Sequence, residues 1–504
     1  MAIKWCVPLL LLSMMYGVSN AQDITRQEMA MGPQVVEAVV DIIHRACVLP
    51  QDYFLLRRLA YVESRDGTEP STFRQGFYGG IWQINEEMYE STKTSPYLEP
   101  MKINIANNLK IHWDSTSWTN LVKPLYSGLG AALFVVFTTR DIGIPRTIAS
   151  QDSFWRKSNW YFVSNAENFT ALASILQPGC QRQVDLELAF IVDTSSSISS
   201  EDFIKTKQFV LNVTSIFDLD NGRVRVAVIT YSSHANVTVG LGDAPSRASL
   251  MSAINKLSYE SGGTETAAAL TLAKQAVFSR SRPSAVKVAV LITDGKSQDA
   301  QDTETAARQL KSNSDVLLLV VGVGDLIDEN ELHKTASQPS CTHVFKVASY
   351  DQIEEIGETI QHLTCRAPLI LSMNSTVSCT FGNCPPYAIP VTSSGGIIKA
   401  RSTCNSPIQL YSAYDVPYPV HSISNVTETI YIGGRVSIVH IPAPQTVPAY
   451  FYVSLNQTGV NSINQCTVTL TASPYDVQVM CIQNDIIRNC TASDLHLFAP
   501  ELCP

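Results

Sequence analysis

The chain has 504 residues, with 36 basic and 45 acidic side chains and a formal charge of −9. The charges are interspersed rather than blocked, which argues against nucleic acid and anionic membrane as partners, since both reward clustered Lys and Arg. The length predicts roughly three domains, and the apolar fraction is that of a globular protein in which each can bury a core.

The first residues read as an export leader over residues 1–21. Lys4 supplies the positive start, Val7 to Met15 the apolar core, and Ser19-Asn20-Ala21 a small-residue cleavage site. That core is too short to span a bilayer, and no other run is an uninterrupted membrane segment; Leu129 to Thr138 reads as a buried helix. The chain is therefore expected to be secreted. Of 12 cysteines Cys6 leaves with the leader, so 11 remain. An odd number leaves open a free thiol, a disulfide-linked oligomer or a different cleavage point. Asn168, Asn212, Asn236, Asn374, Asn425, Asn456 and Asn489 each begin an Asn-X-Ser/Thr acceptor, as suits an extracellular glycoprotein.

Residues 22–180 read as helical. Val35, Val36, Val39, Val40, Ile43 and Cys47 recur at helical spacing until Pro50, and Asp52 is placed to cap a second helix through Leu55, Leu59 and Val62. Residues 67–85, rich in Gly, Thr, Ser and Pro, read as loop. A boundary follows around Cys180. Residues 185–365 then alternate apolar runs (Leu188 to Val192, Val224 to Thr230, Val286 to Thr293, Val316 to Gly322) with helical patterns at Glu201 to Phe217, Thr266 to Phe278 and Thr303 to Leu310. Such alternation predicts an open α/β sheet. Over residues 366–504 helical periodicity gives way to short alternating runs and seven cysteines, an all-β, disulfide-containing pattern of the sandwich type. Cys379 and Cys384 bracket a small loop; Cys365 has either Cys341 or Cys180 as a candidate partner.

In an open parallel sheet, ligands bind where loops converge at the carboxyl ends of the strands. One apolar run ends in Asp193-Thr194-Ser195-Ser196-Ser197, another in Asp294-Gly295, and Ser261-Gly262-Gly263-Thr264 precedes a helix. Carboxylates and hydroxyls are the hard oxygen donors that suit Mg²⁺. These residues resemble a von Willebrand factor type A domain with its metal-ion-dependent adhesion site. By that resemblance, Asp193, Ser195 and Ser197 form the first metal loop, Thr264 the second and Asp294 the third. The implied chemistry is Mg²⁺ or Mn²⁺ with an open position for a carboxylate of an extracellular protein ligand.

In the first region Glu63 stands near the end of the second predicted helix, followed by Tyr78-Gly79-Gly80-Ile81-Trp82-Gln83-Ile84-Asn85. The negative end of the helix dipole, and walling by Trp82 or Tyr78, would both raise its pKa, as a general acid requires. Tyr78, Trp82, Gln83 and Asn85 suit a glycan cleft, and Trp113 and Trp118 could also line one. Ser64 has no base beside it and reads as local hydrogen bonding. The stretch resembles goose-type lysozymes and soluble lytic transglycosylases, a resemblance that implies a lysozyme-like fold and places Glu63 at the catalytic acid. The later Ala-Tyr-Asn-type segment of that family and a second acid are not found.

Two functions follow. One is a secreted adhesion or matrix protein that binds a protein through metal and polysaccharide through its first region. The other is a secreted glycoside hydrolase or lytic transglycosylase acting on peptidoglycan or a chitin-like polymer, in innate defence. Glu63 separates them; the metal site is common to both.

Overall fold

The computed structural model describes residues 23–474 and 480–489, except 159, 161–167, 177–184, 381–383, 392–394, 405–407, 415–425, 431–436, 442–448, 456–465 and 484–485. The export leader, Cys180, Asn425 and Asn456 lie outside the described residues.

The N-terminal region is built of helices. The apolar stripe predicted from Val35 onward folds as the helix Pro33–Arg45, with Val35, Val36, Val39, Val40 and Ile43 buried. Asp52 caps the next helix, Leu55–Ser64, by accepting from the amide N–H of Leu56 at 2.7 Å. Helix Pro124–Thr139 is buried on nearly every side and is the centre of this region, as its all-round apolar sequence requires. It meets the first helix at Gly128, where a Cβ would stand 2.4 Å from Val39. A glycine there lets the Val39 side chain seat directly against the backbone of the central helix.

The central region holds a six-stranded sheet of β1 (Leu186–Asp193), β2 (Val224–Tyr231), β3 (Ala235–Val239), β4 (Val286–Thr293), β5 (Leu317–Val323) and β6 (Val344–Val347), in the order β3-β2-β1-β4-β5-β6. All neighbours are parallel except β2 and β3. The continuous apolar runs became the strands β1, β2, β4 and β5, whose faces are covered on both sides. The edge strands β3 and β6 lack such runs and carried no signal of their own. Near the start of β1, at the end of the sheet opposite Asp193, Glu187 is fully buried; Arg282 Nε donates to its Oε1 at 2.7 Å and Arg225 Nε to its Oε2 at 2.9 Å. This neutralises a charge that burial would otherwise penalise heavily.

The C-terminal region packs two antiparallel sheets face to face. One contains β8 (Thr376–Thr380), β10 (Gly396–Ser402), β13 (Ser437–Ile441) and β15 (Thr467–Pro474), in the order β13-β10-β15-β8. The other contains β7 (Leu369–Ile370), β9 (Tyr387–Val391), β11 (Ile408–Tyr414), β12 (Val426–Ile430) and β14 (Ala449–Leu455), in the order β12-β11-β14-β9-β7, with β7 alone running parallel to its neighbour. Ile398, Ala400, Leu470 and Ala472 from the first and Ile389, Leu410, Phe451 and Val453 from the second fill the space between them. Disulfides Cys379–Cys384 and Cys404–Cys466 lie in this sandwich.

The remaining described disulfide corrects an expectation. Cys341 pairs not with Cys365 but with Cys47, joining the N-terminal helices to the central region across 294 residues. Cys365 is also disulfide-bonded. The joint carries further contacts on the last central helix, Gly357–Arg366. Arg58, fully buried, donates to Glu358 at 2.6 Å, Arg366 to Asp41 at 2.8 Å, and the ring of Phe54 packs edge-on against His362. Spacing within either region contains no trace of this pairing, because this disulfide depends on where the two regions meet.

Candidate functional site

Asp193 closes β1 and Asp294 directly follows β4, so the adjacent parallel strands bring both to one end of the sheet. The Ser195 N–H turns back to Asp193 Oδ1 at 2.8 Å, which tightens the first loop and sets Ser195 and Ser197 on the same side with their hydroxyls 3.0 Å apart. Ser197 Oγ donates to Asp294 Oδ1 at 2.7 Å, and Thr293 Oγ1 donates to Asp193 Oδ2 at 2.8 Å. The two carboxylates are thus tied together through hydroxyls.

The second loop is pinned from both sides. Its Gly262 carbonyl accepts from Ser196 N–H at 3.0 Å, and the Thr264 carbonyl accepts from Gln298 N–H at 3.0 Å, linking it to the first and third loops. Gly262 has φ +124°, and a Cβ there would stand 2.6 Å from Ser233 Oγ, so glycine is required on both counts. The β2–β3 turn buttresses this loop from behind, since Ser233 Oγ accepts from Gly263 N–H at 2.9 Å. The Thr264 hydroxyl makes no hydrogen bond among the described residues, which leaves its oxygen available. Tyr259, just before the loop, donates to the Ile198 carbonyl at 2.7 Å and was not singled out from sequence.

Burial pushes the Asp193 carboxyl up to about 6, with the nearby Asp294 charge adding to it and hydrogen bonds from Ser195 and Thr293 opposing it. Asp294 is also raised, chiefly by burial. Two desolvated carboxylates surrounded by hydroxyls are a poor place for bare negative charge and a suitable one for a hard cation. With only two carboxylates in the set, a bound ion retains positions for water or an outside ligand. The donor chemistry therefore fits a divalent cation held by Asp193, Ser195, Ser197, Thr264 and Asp294.

Residues 187–359 match the family described as von Willebrand factor type A domain. The central region is a von Willebrand factor type A domain. Its curated relatives include the collagen alpha-1(XXI) chain of Homo sapiens, 35% identical over 185 residues, which are 36% of this chain and 19% of that one. Vitrin of Mus musculus is 28% identical over 222 residues, 42% of this chain and 34% of that one. Matrilin-1 of Mus musculus is 33% identical over 182 residues, 36% of each chain. The chain thus spans a fifth to about a third of these relatives' length. They are extracellular-matrix proteins, and the present chain is likewise secreted. Among solved structures, proximal thread matrix protein 1 of the mussel byssus, with a zinc-occupied MIDAS motif, is 27% identical over 39% of this chain and 52% of that one, with a TM-score of 0.34. Manganese-loaded Plasmodium vivax TRAP protein is 21% identical over 35% of this chain and 73% of that one, with a TM-score of 0.30. Among the described residues no helix is long and apolar enough to cross a membrane.

The N-terminal region lies outside the residues matched to this family, and its candidate residues behave differently. Glu63 is 9% exposed at the end of helix Leu55–Ser64. Trp155 Nε1 donates to its Oε1 at 2.6 Å, while Oε2 is buried without a hydrogen-bond partner among the described residues. Burial pushes the carboxyl up to about 8, against the opposing pull of the Trp155 bond.

The indole that bonds Glu63 is that of Trp155, not Trp82. Trp82 is fully buried, with its indole N–H on the Leu56 carbonyl at 2.8 Å, so its face offers no platform to a sugar. Gln83 is buried and occupied by Arg74, Thr72 and Gly80. The Asn85 side chain caps helix Glu86–Thr94 by accepting from Met88 N–H at 2.8 Å. Of the proposed glycan residues Tyr78 is exposed; its ring packs edge-on against Trp118. Trp113 lies in the core. Ser64 donates to the Ile81 carbonyl at 2.7 Å and accepts from Gly67 N–H at 2.8 Å, a local structural role.

Proposed function

We propose that the chain is a secreted adhesion protein of the extracellular matrix that grips a protein partner through a divalent cation at the end of its central sheet. The observation that carries this reading is the convergence of Asp193, Ser195, Ser197 and Asp294 through direct hydrogen bonds, with Thr264 on a loop pinned to both others. These residues would hold Mg²⁺ or Mn²⁺, and the ion would supply a Lewis-acid site for a carboxylate of the partner. The test is calorimetric titration of the secreted chain with Mg²⁺ and Mn²⁺, followed by capture of matrix proteins with and without chelator. Cation binding by wild type that disappears in Asp193→Ala supports the reading; capture that survives both chelation and the substitution overturns it.

A second reading rests on Glu63. A buried carboxyl with one oxygen unpartnered, pushed up to about 8, holds its proton at neutral pH and can deliver it to a glycosidic oxygen. In this reading the N-terminal region is lysozyme-like and binds or cleaves a peptidoglycan or chitin-like polymer, with Tyr78 on the glycan side. The full secreted chain and its Glu63→Gln variant, assayed on peptidoglycan and soluble chitin oligomers, decide it. Cleavage lost in the variant with binding retained makes Glu63 a catalytic acid; binding without cleavage in both makes the region a glycan-recognition module.

A further inference from the structure

The central sheet has two edges, and they are treated differently. At β6 the Gln51 side chain of the N-terminal region donates to the Val344 carbonyl, and the Cys47–Cys341 disulfide fixes that region just before the strand. At β3 no segment among the described residues pairs with the outer side, and Asn236, Val237 and Thr238 are exposed, Val237 to 37%. An exposed edge strand is a template for pairing with another chain. A bulge between Val228 and Ile229 leaves Thr238 out of register, and its hydroxyl donates to the Val228 carbonyl at 3.0 Å. That satisfies one group of the neighbouring strand and leaves the outer edge of β3 open.

The acceptor triplet Asn236-Val237-Thr238 lies on this edge. We propose that Asn236 carries an N-linked glycan and that this glycan closes the open edge of the central sheet against strand pairing. Two of the other described acceptors have committed side chains. The Asn212 amide donates to Glu354, and Asn168 Oδ1 accepts from Ala171 N–H at 3.0 Å as a helix cap. The side chain of Asn236 makes no hydrogen bond among the described residues, so a sugar there displaces nothing. The chain is secreted and so passes the machinery that supplies the donor, an oligosaccharide linked to a lipid pyrophosphate. The Asn236 Nδ2 bonds to the anomeric carbon, the carbon–oxygen bond to pyrophosphate breaks, the lipid pyrophosphate leaves with that electron pair, and the amide releases one proton. A glycan on a strand edge both fills the space a partner strand needs and keeps the surface hydrated.

The experiment uses the full chain secreted from a eukaryotic host, with free thiols alkylated so that disulfide exchange does not contribute. Glycopeptide mass spectrometry reads occupancy at Asn236, and light scattering reads the monomer fraction across a concentration series. The expected result is an occupied Asn236, and a loss of monomer with concentration for Asn236→Gln that Asn374→Gln does not show. Should Asn236→Gln fail to be secreted, a chain keeping only the Asn236 acceptor is trimmed enzymatically after folding and read in the same way. An unmodified Asn236, or a chain that stays as monomeric as wild type once this sugar is gone, overturns the proposal.

Discussion

The central domain and the N-terminal region each hold buried acid, but they assemble it in opposite ways. In the central domain Asp193 and Asp294 come from adjacent strands of one sheet, and their partners Ser195, Ser197 and Thr293 lie within four residues of one or the other. In the N-terminal region Glu63 is hydrogen-bonded to no second acid among the described residues, and the group that bonds it, Trp155, is 92 residues away. A site made of strand ends inherits its geometry from the backbone, so the motif and the site are nearly the same object. A site made by packing helices depends on which side chain arrives from elsewhere, which local sequence does not encode.

The sharpest break of this comparison is at Asp193. If the strand-end cluster is the cation site, Asp193→Ala removes a ligand and the anchor of the first loop together. Cation affinity should then fall by at least about a hundredfold, read by calorimetry with Mg²⁺ or Mn²⁺. Retained affinity would place the cation elsewhere and dissolve the contrast between the two regions.

The next largest effect concerns whether the regions are independent at all. The Cys47–Cys341 disulfide closes a loop of 294 residues and fixes the joint at which Arg58 meets Glu358. Replacing both cysteines by serine should cost about 2–5 kcal/mol, measured by denaturant unfolding, and should split one transition into two. A single unchanged transition would mean that the ion pairs and apolar contacts alone weld the joint.

The third test addresses the charge on Glu63. Its folded pKa of about 8 lies above the value near 4.5 of an exposed carboxyl. The folded state therefore binds a proton that the unfolded chain releases, and the stabilisation, complete below about 4.5, is lost as pH rises to about 8. Glu63→Gln is neutral throughout and should remove that slope. Between pH 5 and pH 8 wild type should lose roughly 2–4 kcal/mol relative to the variant, compared by urea unfolding at each pH. Parallel stabilities across this window would show that Glu63 is charged in the folded protein.

How much of this was legible in sequence follows the same division. The runs that became β1, β2, β4 and β5 were visible because buried parallel strands need apolar residues on both faces. The edge strands β3 and β6 were not, since one side of each is freed from that demand. The five residues proposed to hold the cation were legible as candidates because hydroxyls and carboxylates cluster where the strands end. The contribution of Tyr259 was not, because a tyrosine that braces a carbonyl looks like any other. In the N-terminal region Glu63 was found by resemblance, yet Trp82, Gln83 and Asn85 were drawn to the wrong task. Trp82 is core, Gln83 holds a turn, and Asn85 caps a helix; each polar group already answers a backbone donor or acceptor. The Cys47–Cys341 pairing was invisible for a related reason, since neither cysteine's neighbours mark the surface on which the other lies.

The smallest predicted effect isolates the contact that sequence could not supply. The bond from Trp155 Nε1 favours the charged form of Glu63, while burial favours the neutral one, and burial wins. Trp155→Phe keeps an aromatic ring in the pocket and removes the donor. A hydrogen bond to a charged acceptor is worth more than one to a neutral acid, by about 1 kcal/mol, so its loss should raise the Glu63 pKa further by roughly one unit. Carbon NMR of the Glu63 carboxyl reports this titration directly, without interference from the stability lost to the smaller ring. A pKa that stays near 8 would mean that water or another donor replaces the indole. A pKa that falls would mean that Trp155 serves mainly to exclude water, in which case the pocket around Glu63 is held shut by packing and opens when that packing is relaxed.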